Sequence, residues 1–211
     1  MSEKSVFVGV PIHDGKNHHA CVAGMMQMQT AFRGRCAFET HVGSFLPRNR
    51  DILTARFLDS EADYFLCLDS DIGFGSDDVE ALLSTNLDFV SGCYAKKQPD
   101  REIPARLNGL TGDSVLGAEY VPAGFILLSR ACVERMVGAY RKMEYKTMTG
   151  RAWALWASTF EPGNEYTGED IAFCKCRIEQ VAAICWDTSL HFLRCYGTSL
   201  RLQLADKKII K

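Results

Sequence analysis

Across 211 residues, 47% hydrophobic and 24% charged side chains exclude disorder, collagen-like repetition and a continuous coiled coil. Lys+Arg 24 against Asp+Glu 26 leaves a formal net charge of −2, without the basic excess a nucleic-acid binder uses to collect phosphates. The length suffices for one sizeable core, so a single domain over 1–211 is expected.

Met1-Ser2-Glu3-Lys4 runs straight into an apolar segment and lacks the apolar core of a signal peptide. No stretch approaches the ~20 apolar residues of a membrane span. Nine cysteines, an odd number without repeated spacing, read as reduced and mostly buried thiols of a cytoplasmic protein. Asp206-Lys207-Lys208 would suit a cut point in a longer polypeptide.

In chain order, Val6-Phe7-Val8-Gly9-Val10 predicts a strand in a sheet covered on both faces. Residues 17–33 predict a helix, with Val22, Met25, Met26 and Gln29 at helical spacing and Gly34 as its C-cap. Residues 36–42 return as a strand. A helix over 49–60 pairs Leu53 with Phe57 and Ile52 with Ala55. Residues 64–68 form a buried strand, and Ser76 opens a helix that turns Val79, Leu82 and Leu83 inward. Strands are expected over 88–94 and 120–128, with turns and short antiparallel pieces between. Ser129 caps a helix presenting Val133, Met136, Val137 and Tyr140. Residues 141–166 are rich in aromatics and turns without a clean period. Thr167 starts a last helix, 182–186 make a strand, and 187–211 trail into a basic end. This alternation predicts an α/β fold with a mainly parallel central sheet and helices on both faces.

The first strand-to-helix turn, Val10-Pro11-Ile12-His13-Asp14-Gly15-Lys16, carries neither a dinucleotide-binding glycine fingerprint nor a phosphate loop. The strongest local signal is Phe65-Leu66-Cys67-Leu68-Asp69-Ser70-Asp71. An apolar strand delivers two carboxylates, two residues apart, to the sheet edge where ligands bind in open α/β folds. Oxygen donors of that kind suit Mg²⁺ or Mn²⁺, which bind substrate phosphates. The plainer reading is that acids end a strand and open a polar loop.

Thr167-Gly168-Glu169-Asp170 fits a capping box, with Thr167 and Asp170 as its partners; alternatively it holds a carboxylate at a helix start as a general base. His191 follows the last strand and is either a ligand or an ordinary packed imidazole. Pro47-Arg48-Asn49-Arg50 brings two guanidinium groups, whose planar forks suit a phosphate or a nucleobase edge, or else are ordinary surface charge. Glycines in Ser91-Gly92-Cys93-Tyr94 and Pro122-Ala123-Gly124-Phe125 mark either a ligand's approach to the backbone or tight packing.

Taken in order from Val6 to His191, these segments resemble a GT-A-fold glycosyltransferase that uses a nucleotide sugar. The likeness is greatest to N-terminal glycosyltransferase domains of chloroviruses, large DNA viruses of algae. The resemblance implies that Pro11, Ile12 and His13 line the base pocket and that Arg48 and Arg50 lie near the base or phosphates. It implies that Asp69, next to Ser70, meets the ribose or the metal with its water, that Asp71 binds Mn²⁺ or Mg²⁺, and that His191 completes the metal shell. Ala123 and Gly124 would border the donor sugar. Asp170, beside Glu169, would act as base in an inverting transfer from a nucleoside-diphosphate sugar, UDP-sugar foremost, to a glycan hydroxyl.

The region 141–166 matches no pattern of the family and is expected to shape the acceptor site. Trp153 and Trp156 are either sugar platforms or core residues. A haloacid-dehalogenase-type phosphatase is the rival enzyme, although it wants Thr or Val where this chain has Gly73 and places its motif near the domain's start. A catalytically inactive sugar-nucleotide-binding module is the rival without chemistry.

Overall fold

A computed structural model describes residues 4–94, 104–110, 115–175 and 181–184. The chain order begins β1 (Val6–Ile12), α1 (His19–Phe32), β2 (Cys36–Val42), α2 (Leu46–Asp59), β3 (Tyr64–Leu68), α3 (Ser76–Ser84) and β4 (Phe89–Gly92). It continues with β5 (Arg106–Leu110), β6 (Val115–Tyr120), β7 (Phe125–Ser129) and α4 (Arg130–Ala139). Two small hairpins follow, β8 (Glu144–Thr147) with β9 (Gly150–Trp153) and β10 (Thr159–Glu161) with β11 (Glu165–Thr167). Among the described residues α5 (Glu169–Lys175) and β12 (Val181–Ile184) complete the chain.

Eight strands form one sheet in the order β2-β1-β3-β7-β4-β12-β6-β5. Within it β7 and β6 run against the rest: β1 pairs in parallel with β2 and β3, and β4 with β12, whereas β7 is antiparallel to β3 and β4 and β6 to β12 and β5. The sheet is therefore mainly parallel in strand direction.

Strand alternation divides the core into two layers. Val6, Val8 and Val10 of β1, with Leu66 and Leu68 of β3, pack against Met28 and Phe32 of α1 and Val79 and Leu82 of α3. Phe7, Phe65 and Cys67 point the other way, onto Leu53 and Phe57 of α2, Val133 and Met136 of α4 and Phe173 of α5. Every residue of β1 is buried, as a strand covered on both faces requires.

Some expectations shift. The helix α1 buries Cys21, Gly24, Met28 and Phe32, while Val22 and Met26 face solvent. Its buried stripe is set by Gly24, where an added Cβ would lie 2.5 Å from the Phe74 carbonyl oxygen; only glycine allows that approach. The helix α2 begins at Leu46, earlier than the expected 49, because Pro47 suits a first turn. The strand expected over 120–128 is broken: β6 ends at Tyr120 and β7 starts at Phe125. Pro122, which has no N–H for a ladder, stands in the break. None of the six described cysteines forms a disulfide, and five are buried.

Candidate active site

The antiparallel direction of β7 builds the site. Because β7 runs against β3 and β4, its entering turn (121–124) lies at the edge where those two strands end. Asp69 follows β3 there and Tyr94 follows β4. The Asp69 N–H donates to the Gly124 carbonyl at 2.9 Å, and the Gly124 N–H donates to the Tyr94 hydroxyl oxygen at 2.9 Å. A Cβ on residue 124 would sit 2.4 Å from Tyr94 Oη and 2.8 Å from Asp69 Oδ2, so this position takes only glycine.

Arg50 occupies the centre, its side chain 2% exposed. Its Nη2 donates to Asp69 Oδ1 at 2.9 Å, and Nη1 meets Glu169 Oε1 at 3.2 Å and Asp170 Oδ1 at 3.4 Å. The guanidinium also lies 5.2 Å from the Trp156 ring centroid. Burial works against its charge, but Asp69 and Asp170 outweigh that, so its pKa lies above the ordinary value. The acids that meet Arg50 come from other elements, not from the neighbouring Asp51.

Asp170 Oδ2 accepts from the Ala123 N–H at 3.3 Å. Its carboxylate thus engages Arg50 and the β6–β7 turn, which corrects the expectation of a capping box with Thr167. Burial, with help from the nearby Glu169 and Asp69 charges, overcomes Arg50 and the Ala123 N–H and raises its pKa to about 6. Burial likewise raises the Cys67 thiol, behind Arg50, to about 12, and raises the Tyr94 phenol well above its usual value.

The remaining expected residues fall at or near this edge. Pro11 and Ile12 are buried at the end of β1, where the Ile12 carbonyl accepts from Gly43 N–H and Asn49 Nδ2, and His13 is exposed beyond it. Ser70 and Asp71 are half-buried, and the Ser70 carbonyl accepts from the His18 N–H, pinning the Asp-x-Asp loop to the start of α1. Arg48 is exposed, and its charge acts on His41 and Tyr145. His191 lies outside the described residues.

Trp153 and Trp156 are core residues, not sugar platforms. Trp156 is fully buried and stacks on Phe173 at 3.5 Å, and Trp153 is 7% exposed. Burial is completed by polar contacts: the Trp156 N–H donates to Asp51 Oδ1 at 3.1 Å and its indole N–H to Thr54 Oγ1 at 3.3 Å.

Among the described residues no group of three or more His, Cys, Asp or Glu side chains is placed to hold a metal ion. The donor chemistry at Asp69 and Asp71 nevertheless fits a hard cation. Arg50 engages only Asp69 Oδ1, leaving Oδ2 against the bare Cα of Gly124.

No family model and no curated protein sequence matches this chain. Solved structures do. A197 from STIV is 17% identical, covering 85% of this chain and 81% of that one, with a TM-score of 0.54. UDP-glucose pyrophosphorylase complexed with UDP-glucose is 8% identical, covering 91% and 93%, with a TM-score of 0.50. The fold is GT-A-like. At these identities the likeness speaks for fold alone. A glycosyltransferase involved in the glycosylation of the major capsid of PBCV-1 overlaps over 65% of this chain and 67% of its own at 12% identity, with a TM-score of 0.38, too loose an overlap to bear on origin. No described helix is long and apolar enough to cross a membrane.

Proposed function

We propose that this chain transfers a sugar from a nucleoside-diphosphate sugar, UDP-sugar foremost, to a glycan hydroxyl with inversion. One observation carries the reading. Asp69, Arg50, the 123–124 backbone and Asp170 converge at the sheet edge from four separate parts of the chain. That edge is where open α/β folds bind ligands, and a similar fold elsewhere holds UDP-glucose.

Asp69 and Asp71, with His191, would hold Mn²⁺ or Mg²⁺, which when bound neutralises charge growing on the departing diphosphate. Gly124 leaves room for the donor beside Asp69. Asp170 takes the proton from the acceptor hydroxyl. A pKa near 6 keeps it ionised at neutral pH yet basic enough for that role. Arg50 positions Asp69 and Asp170 against one another through a single planar fork. The phosphatase reading is disfavoured because Asp69 follows the third strand, not the first, and β3 pairs with an antiparallel neighbour.

Thermal unfolding with UDP and UDP-glucose, in Mn²⁺ and in chelator, tests the reading. At about 100 times its dissociation constant a ligand adds roughly 2.7 kcal/mol of stability. Stabilisation by UDP in Mn²⁺ that disappears in chelator and in Asp71→Ala is expected; equal stabilisation in chelator refutes the metal-held donor.

A further inference from the structure

The hairpin that feeds α5 carries an aromatic surface that no described residue covers. Phe160 of β10 and Tyr166 of β11 are directly opposed across the ladder, 70% and 68% exposed, with ring centroids 5.7 Å apart at 71°. Exposed aromatic pairs cost solvation and call for an explanation. The hairpin is also stiff. The Asn164 N–H donates to the Glu161 carbonyl at 3.0 Å around Pro162-Gly163, Gly163 has φ +94, and Glu161 pairs with Lys175 of α5 at 2.9 Å.

We propose that Phe160 and Tyr166 form the platform on which the acceptor saccharide stacks its apolar sugar face. This inference rests on the transfer reading above for its choice of ligand. Three observations select a neutral saccharide. First, the platform adjoins the site along the chain: Tyr166 is four residues before Asp170, at most about 14 Å even if the chain were fully extended. Second, the surround is polar: Thr159 and Glu165 are exposed, and the nearby Lys175 is already held by Glu161 at 2.9 Å. Such a rim hydrogen-bonds hydroxyls and offers a diphosphate or a nucleic acid no cluster of cations to bind. Third, the two side chains, 70% and 68% exposed, have roughly 200–350 Å² left to bury between them, well below the ~800 Å² per partner of a stable protein interface. One or two sugar rings fit that area.

The test is saturation-transfer NMR of the full chain with millimolar cellotetraose, maltotetraose, xylotetraose and mannotetraose, and UDP with Mn²⁺ as the donor-side probe. At least one tetrasaccharide should bind the wild type. Phe160→Ala/Tyr166→Ala should weaken that binding at least tenfold and leave UDP affinity within twofold; Phe160→Trp should retain both. Both residues are exposed, so the variants should melt like the wild type. No tetrasaccharide binding by the wild type, unchanged binding by the double variant, or a matching loss of UDP affinity would each overturn the platform. Pair-dependent saccharide binding without any UDP binding would instead overturn the donor reading and leave the platform standing.

Discussion

At the scale of single residues the site turns on how one buried cation divides itself among three carboxylates. Among the described residues Arg50 pairs with Asp69, Glu169 and Asp170, and these three carboxylates pair with no second cation. Arg50→Met should cost about 3–5 kcal/mol in urea unfolding, because it strands acids that the cation now balances; a loss under 1 kcal/mol would show that solvent already screens them. Asp170 is the residue whose titration reaches activity. Its carboxyl must be ionised to accept a proton, and its pKa in the ligand-free chain is raised to about 6, so kcat/KM should rise with pH through about 6 and then level. Asp170→Asn should cut turnover by about 10²–10⁴-fold with UDP affinity nearly unchanged. None of the ion cluster can be read from spacing, since Arg50 is 19 residues from Asp69 and 119 and 120 from Glu169 and Asp170. The Asp-x-Asp pair is legible because an apolar strand points at it; its cation is not.

At the scale of elements, the sequence announces what burial makes periodic. Residues 64–68 are read to the residue, and the next helix is read at its start, Ser76, and on its inward face, since a strand buried on both faces and a one-faced helix leave clear patterns. The inward face of α1 is not legible: the glycine that faces Phe74 scores as neutral, and the exposed Met26 scores as core. The Phe160–Tyr166 hairpin carried a signal in Pro162-Gly163 between two short alternating runs, each too brief to weigh alone. The β6–β7 turn is where an element boundary becomes function. Gly124→Ala would drive a methyl into Tyr94 Oη and Asp69 Oδ2, so it should destabilise by about 1–3 kcal/mol and weaken UDP binding at the same time. A variant that lost stability and kept full UDP affinity would remove residue 124 from the donor's surroundings.

At the scale of the whole molecule, the α/β alternation gives away the two helical layers, while the antiparallel placement of β7 between β3 and β4 depends on long-range pairing that no local pattern encodes. The same long-range logic joins the β8–β9 hairpin and the 154–156 segment to α2 through one buried acid, Asp51. Its Oδ2 accepts from the Tyr145 hydroxyl at 3.1 Å and its Oδ1 from the Trp156 N–H. Burial outweighs these hydrogen bonds and lifts the carboxyl pKa from 3.8 to about 7. Below about pH 4 Asp51 is protonated whether the chain is folded or not, and it contributes no pH dependence. Between about 4 and 7 the unfolded chain has released that proton and the folded chain still holds it, so stability falls as pH rises. Above about 7 both forms are ionised, and the loss, on the order of a few kcal/mol, is complete. Asp51→Asn keeps an acceptor for the Trp156 N–H and has no proton to lose. Its melting temperature should therefore gain on the wild type steadily from pH 4.5 to 7 and hold that lead up to pH 8.5, whereas two parallel melting curves across this range would mean that Asp51 is already ionised in the folded protein.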